Sequence, residues 1–184
     1  MFGLIVIVLL IIASAGAPLF TDYGRDDIDL YSIEAQPDSA HLLGTDELGR
    51  DVLTRLLFGG RVSLSVGLLA SLFEIIIGVG LGAIAGFYGG KVDSIIMRIT
   101  DVIMCFPFFV VAIALAAMIG PSMMNLIFII AILEWTKIAR IVRAEVLSLK
   151  ERDFIQASRS MGLSKMEIII RHILPNTFAS IMVF

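Results

Sequence analysis

The ionisable side chains that stand inside the apolar runs of this sequence are few, and their spacing limits the chemistry open to them. Glu74 lies near the middle of one run and Asp101 near the start of the next. A charge at membrane depth is costly and marks a functional candidate by default. Neither belongs to a paired-carboxylate, His or metal constellation within its own run, which disfavours an intramembrane acid–base enzyme. For Glu74 the structural reading comes first, in which it hydrogen-bonds a neighbouring helix while protonated. Neither His41 nor His172 has a ligand neighbour at metal spacing, and no Ser/His/Asp or Cys/His grouping can be drawn. Gly90-Lys91 lacks the upstream glycine of a phosphate-cradling loop and is followed by Val92, so this chain carries no G-x-x-x-x-G-K-[ST] site for ATP. The lone Cys105 reads as a small hydrophobe.

What remains is mechanical rather than chemical. Residues 153–176, DFIQASRSMGLSKMEIIIRHILPN, read as two short amphipathic helices about a glycine joint. Ser158 to Met161 can close the first helix, and Gly162 supplies the left-handed backbone of a tight reversal. Ser164 is placed as an N-cap, with Glu167 three residues on as its capping-box partner. Ile168, Ile169, Ile170, Ile173 and Leu174 give the second helix an apolar side, and Pro175 is expected to interrupt it.

Gln156-Ala157-Ser158, three residues, Gly162, then His172-Ile173-Leu174-Pro175 resemble the EAA loop of ABC importer transmembrane subunits, whose pattern is Glu-Ala-Ala, three residues, Gly, nine residues, Ile-x-Leu-Pro. Gln156, Ser158 and His172 depart from the pattern; Ala157, Gly162, Leu174 and Pro175 match it. A second stretch lies far upstream. His41-Leu-Leu-Gly44-Thr45-Asp46-Glu-Leu-Gly49-Arg50-Asp51-Val52 resembles the H-x-L-G-T-D-x-x-G-R-D-V signature of peptide- and nickel-type importer permeases.

The elements that must position these stretches are membrane helices. With 58% hydrophobic and 17% charged residues among 184, and a mean hydropathy of +0.96, the chain has too little polar surface to close a soluble globule. A net charge of −3 argues against a nucleic-acid partner. The expected fold is all-α, a polytopic helical membrane protein with about four complete transmembrane helices and the start of a fifth. Residues 1–20 form the first span; Ala13-Ser14-Ala15 would also suit signal-peptide cleavage, but no Lys or Arg precedes the run. A basic leader is expected to be missing ahead of it.

Residues 21–61 form a polar loop. Asp22, Asp26, Asp27, Asp29, Glu34, Asp38, Asp46, Glu47 and Asp51 there outnumber Arg25, Arg50, Arg55 and Arg61. The core, 62–184, contains spans at 62–87, 94–119 and 124–149, a loop at 153–175, and a fifth run at 176–184 too short to cross. Ser63, Gly67 and Ser71, and again Gly78, Gly82 and Gly86, recur every four positions and offer small-residue faces for close helix packing. Arg98 and Asp101 are placed to pair at i, i+3. Pro107 should kink its span, either to line a path or to pack. Between 136 and 172, Lys137, Arg140, Arg143, Lys150, Arg152, Arg159, Lys165 and Arg171 outnumber Glu145, Glu151, Asp153 and Glu167, which makes that side cytoplasmic and loop 21–61 extracytoplasmic.

The resemblance implies a permease subunit of an ATP-driven importer in a bacterial or archaeal cell membrane, without a cofactor or metal of its own. Gln156, Ala157, Ser158, Gly162, Leu163, Ser164, Leu174 and Pro175 would couple it to a separate ABC ATPase subunit. A second homologous permease subunit, an extracytoplasmic solute-binding protein and the lipid bilayer complete its partners. Di- or oligopeptides are the expected substrate, with nickel or another small solute as the alternative. Glu74, Asp101 and Pro107 are candidates for the path or for contacts between helices. The missing fifth and sixth spans suggest a truncated permease, which could act as an assembly protein only.

Overall fold

A computed structural model describes the backbone of residues 2–181 and the side chains of residues 2–177. The chain divides into two compact units between Gly67 and Leu68.

In the first unit, α1 (Phe2–Ala15) and the short α2 (Ala17–Phe20) replace the single expected span, with Gly16 between them and Pro18 in the first turn of α2. Proline fits there because that N–H needs no helical acceptor. The carbonyls that end α1 are met by Arg61, which donates from Nε to Ser14 (3.3 Å) and from a terminal nitrogen to Ala15 (2.6 Å). A cation at a helix C-terminus satisfies orphan carbonyls and complements the dipole.

The helix expected from residue 62 begins ten residues earlier. α3 (Val52–Tyr88) reaches back to Asp51, whose Oδ2 accepts both the backbone N–H and the hydroxyl of Thr54, each at 2.7 Å. Hydropathy marks only where the apolar run starts; the carboxylate cap lets the helix start sooner.

In the second unit, α3 continues to Tyr88, followed by α4 (Gly90–Met104), α5 (Phe108–Ile119), α6 (Met123–Leu149), α7 (Asp153–Ser160), α8 (Lys165–Ile168), a π-helical turn (Ile169–Ile173) and α9 (Leu174–Ile181). Among the described residues, α3 alone is long and apolar enough to cross a membrane by itself, and α4 with α5 pass together as a pair bent by 86°. The expected third span is therefore broken. Pro107 lacks an N–H and biases Phe106 away from helical backbone, so α4 stops at Met104 and a new helix starts at Phe108. The fifth apolar run falls partly on residues 182–184, outside the described residues.

Of the two small-residue ladders, one makes a seam. A Cβ on Gly78 would stand 2.8 Å from the Trp135 carbonyl, one on Gly82 3.0 Å from the Ala139 Cα, and one on Gly86 2.9 Å from the Arg143 carbonyl. α3 and α6 thus approach backbone to backbone, which only glycine permits. Ser63, Gly67 and Ser71 are exposed, and a Cβ on Gly67 would meet open space.

Asp101 does not pair with Arg98; it accepts from Arg140 of α6, while both oxygens of Asp93 receive the Arg143 guanidinium. The i, i+3 geometry was available, but an arginine on a packed neighbour competes for the same carboxylate and also ties two helices together. Ala83, Phe87, Ile138, Val142, Val146, Ile155, Ile168, Ile169 and Ile173 form one buried cluster, so the 153–175 stretch is built onto the ends of α3 and α6.

Candidate functional site: a glycine-jointed elbow

The turn between α7 and α8 follows from three backbone choices. α7 ends when the Gly162 N–H donates to the Arg159 carbonyl (3.0 Å) and the Leu163 N–H to the Ser158 carbonyl (3.2 Å). This is the paired closure of a Schellman cap, and it needs a left-handed residue at Gly162, where φ is +82°. Nothing lies within 4 Å of where a Gly162 Cβ would be, so glycine is required there for its backbone and not for space.

α8 starts on a complete capping box. The Glu167 N–H donates to Ser164 Oγ (3.3 Å), and Glu167 Oε2 accepts from the Ser164 N–H (3.0 Å) and hydroxyl (2.8 Å). The Ser164 backbone bond, with the hydroxyl behind it, holds the Glu167 carboxyl below its ordinary pKa.

Pro175 does not interrupt the second helix. The turn before it widens, so that Leu174 donates five residues back to Ile169, and Asn176 Nδ2 takes the His172 carbonyl at 2.6 Å. A proline inside an α-helix removes a bond and collides with the carbonyl four residues back; a π turn relieves the crowding and lets the chain run on.

The elbow has two faces. Ile155, Ser158, Ile168, Ile169 and Ile173 are buried, whereas Gln156, Ala157, Ser160, Met161, Gly162, Ser164 and Met166 are exposed. Ser158 therefore faces inward although Ala157 beside it faces out. Its hydroxyl donates to the Phe154 carbonyl (2.8 Å) beneath the helix. Met161 and Met166 flank Gly162 at 72% and 50% exposure, flexible apolar side chains of the kind that adapt to a partner surface. Leu163 and Leu174 pack against the core.

Two cations fasten the elbow to the end of α3. Arg159 lies over the Phe87 ring and Lys165 over the Tyr88 ring, each at 5.3 Å, around a groove also lined by Leu163 and Ile168. Such contacts contribute about 0.5–1 kcal/mol each at exposed sites. Neither aromatic partner follows from local spacing, because residues 87 and 159 meet only in the folded chain.

Elsewhere in the second unit, Glu74 is half-buried within Coulombic range of Glu134 and Lys137, and makes no hydrogen bond to a neighbouring helix among the described residues.

The first unit holds a second cluster that residue spacing alone did not disclose. His41 Nδ1 donates to Asp51 Oδ1 (3.1 Å), the Tyr23 ring stacks on His41 at 4.8 Å, and His41, Thr45, Asp51 and Thr54 are all buried. Thr45 bridges backbone to backbone with Asp51, while its hydroxyl donates to the Ser32 carbonyl. Asp46 gathers the N–H groups of Leu48 and Arg50 and the guanidinium groups of Arg50 and Arg55. Burial raises the pKa of both aspartates, and these donors overcome it, so each carboxyl titrates below its ordinary value. At Gly49, φ is +71° and a Cβ would run into the Asp29 carbonyl. The H-x-L-G-T-D-x-x-G-R-D-V stretch is thus a bonded knot, in which the motif residues find one another, Thr54 and Tyr23.

Among the described residues there are no strands. Long apolar helices, a glycine seam and an amphipathic elbow built on two helix ends define a helical membrane protein of the ABC importer permease type. The family of binding-protein-dependent transport system inner membrane components matches residues 78–184, and the chain belongs to that family. It is 41% identical to the dipeptide transport system permease protein DppC of Alkalihalophilus pseudofirmus over 98% of this chain and 60% of the relative. It is 37% identical to the oligopeptide transport system permease protein OppC of Bacillus subtilis over 100% of this chain and 60% of that one. With the glutathione transport system permease protein GsiD of Pectobacterium atrosepticum the identity is 42%, over 99% and 60%. The chain spans about 60% of the length of these relatives.

Proposed function

We propose that this chain is the greater part of a permease subunit of an ATP-driven importer for di- or oligopeptides, and that the elbow at Gly162 is where a separate ABC ATPase subunit drives it. The observation that carries the reading is the elbow itself. Its exposed face presents Ala157, Met161 and Met166 around a left-handed glycine, and its buried face is continuous with α3 and α6. A push on the exposed face would reach two long helices without loss in a soft loop. That suits a rearrangement of spans which alternates access to a central path. Peptides are favoured as substrate because the relatives named above are named for dipeptides, oligopeptides and glutathione.

In this reading the elbow is cytoplasmic and loop 21–61 extracytoplasmic, in agreement with the basic bias of 136–172. α1 with α2, α3, α4 with α5, and α6 supply four crossings. A second permease subunit, ATPase subunits and an extracytoplasmic solute-binding protein complete the assembly. ATP hydrolysis belongs to the partner.

The test is Gly162→Trp in the full-length permease, assembled with its partners. Uptake driven by ATP should fall by about tenfold or more, as expected when a coupling step is lost, with membrane insertion unchanged. If uptake and binding-protein-stimulated ATP hydrolysis both persist at wild-type rates, the elbow is not the coupling site.

A further inference from the structure

Four charged groups of α6 face the break between α4 and α5 or the helix that precedes it. Arg140 and Arg143 bond to Asp101 and Asp93 of α4 and so have a structural purpose. Glu134 and Lys137 do not. Their ion pair lies within one helix at i, i+3, ties no elements together, and leaves the side chains 21% and 56% exposed. Both line a cavity at the α4–α5 break whose remaining walls are mostly apolar, Ile103, Phe106, Phe108 and Leu133 among them. Counted from Met123, Glu134 lies about 16 Å along the helix axis, close to half the thickness of a hydrocarbon core. Ionisable groups at that depth are functional candidates by default. Glu74 of α3 adds a second carboxylate within Coulombic range of the same pair.

Resting on the permease reading above, we propose that this cavity is a station on the solute path, in which Glu134 receives the ammonium terminus of a peptide and Lys137 its carboxylate. The intrahelical pair opens and is replaced by two contacts to solute of the same charge type. The apolar walls accept side chains of varied shape, which suits a substrate fixed only at its two charged ends. The cavity lies at the Pro107 break, lined by residues from both sides of it, Ile103 and Phe106 before and Phe108 after.

The experiment uses the full-length permease with its partner subunits in proteoliposomes, with dialanine as the transported probe. Glu134→Gln and Lys137→Gln should each lower uptake per ATP hydrolysed by about tenfold or more, the loss expected for one charge-assisted contact, while binding-protein-stimulated ATP hydrolysis persists. Removing both charges should not restore uptake. Full restoration by the double variant Glu134→Gln/Lys137→Gln, or wild-type uptake by either single variant, overturns the proposal and leaves the pair a structural one. A thiol introduced by Leu133→Cys in a Cys105→Ser background gives a readout that does not depend on turnover. Dialanine should slow its labelling and N-acetyl-dialanine amide should not; equal labelling overturns the proposal. Absence of ATP-driven uptake by the unmodified complex would instead overturn the permease reading itself.

Discussion

The loop knot around His41 and Asp51 and the elbow around Gly162 both turn the chain on a left-handed glycine and deliver it into a capped helix, yet they are built in opposite ways. At Gly49 the backbone is left-handed and the space beyond Cα is filled by the Asp29 carbonyl; at Gly162 the backbone is equally left-handed and the space is empty. Asp51 caps α3 from within a buried set of donors, and Ser164 caps α8 in the open. The knot is fixed from all sides by its own bonds. The elbow is fixed from beneath only, which leaves its upper face to be met by something else.

The sharpest way to break this contrast is Asp51→Ala. It strands the buried Thr54 N–H and the His41 ring and leaves the Thr54 hydroxyl with Thr21 alone, and should cost on the order of 3 kcal/mol. Hydrogen exchange should rise across residues 41–55 and stay unchanged across 153–168. Equal exchange in both stretches would mean that the knot is not self-contained.

Gly49→Ala against Gly162→Ala comes next. Each should incur about 1–2 kcal/mol for left-handed backbone, and Gly49→Ala about 1–3 kcal/mol more for overpacking. Thermal unfolding of the two variants in detergent measures the difference, and identical shifts would show that space plays no part. Ser164→Ala should cost about 1 kcal/mol, visible as faster exchange at Glu167 and little else.

The smallest effect is acid sensitivity. Asp46 and Asp51 have folded pKa values below the ordinary 3.8, so the stability they contribute is complete above that pH and is lost as pH falls through their lower folded values. Protease cleavage within 41–55 should therefore be flat from pH 7 to 4 and rise only below. Glu167, depressed from 4.5, obeys the same sign, but its exposure makes the loss at α8 slight. Cleavage that rises already between pH 7 and 5 would point to a different group.

Much of the elbow was legible in residue order because its determinants are local. Gly162, Ser164 and Glu167 act on neighbours within four positions, so the turn, the cap and the second helix could be read directly. The π turn at Ile169–Ile173 was not, since proline's usual effect is to end a helix and only packing on both sides decides that the chain should widen instead. The inward turn of Ser158 was hidden for the same reason: small residues at 157 and 158 look alike until packing buries one of them.

The sequence by itself determined the class of fold, the apolar runs, the glycine joint and the family, because hydropathy, backbone preference and fixed spacing are properties of short stretches. Only the tertiary structure decided which small-residue ladder became a seam, that Asp101 takes Arg140 over Arg98, that Arg159 and Lys165 rest on Phe87 and Tyr88, and that His41 closes on Asp51. Each of these is a choice among partners distant in the chain. Such choices are settled by which backbones can approach and which charges would otherwise be left alone.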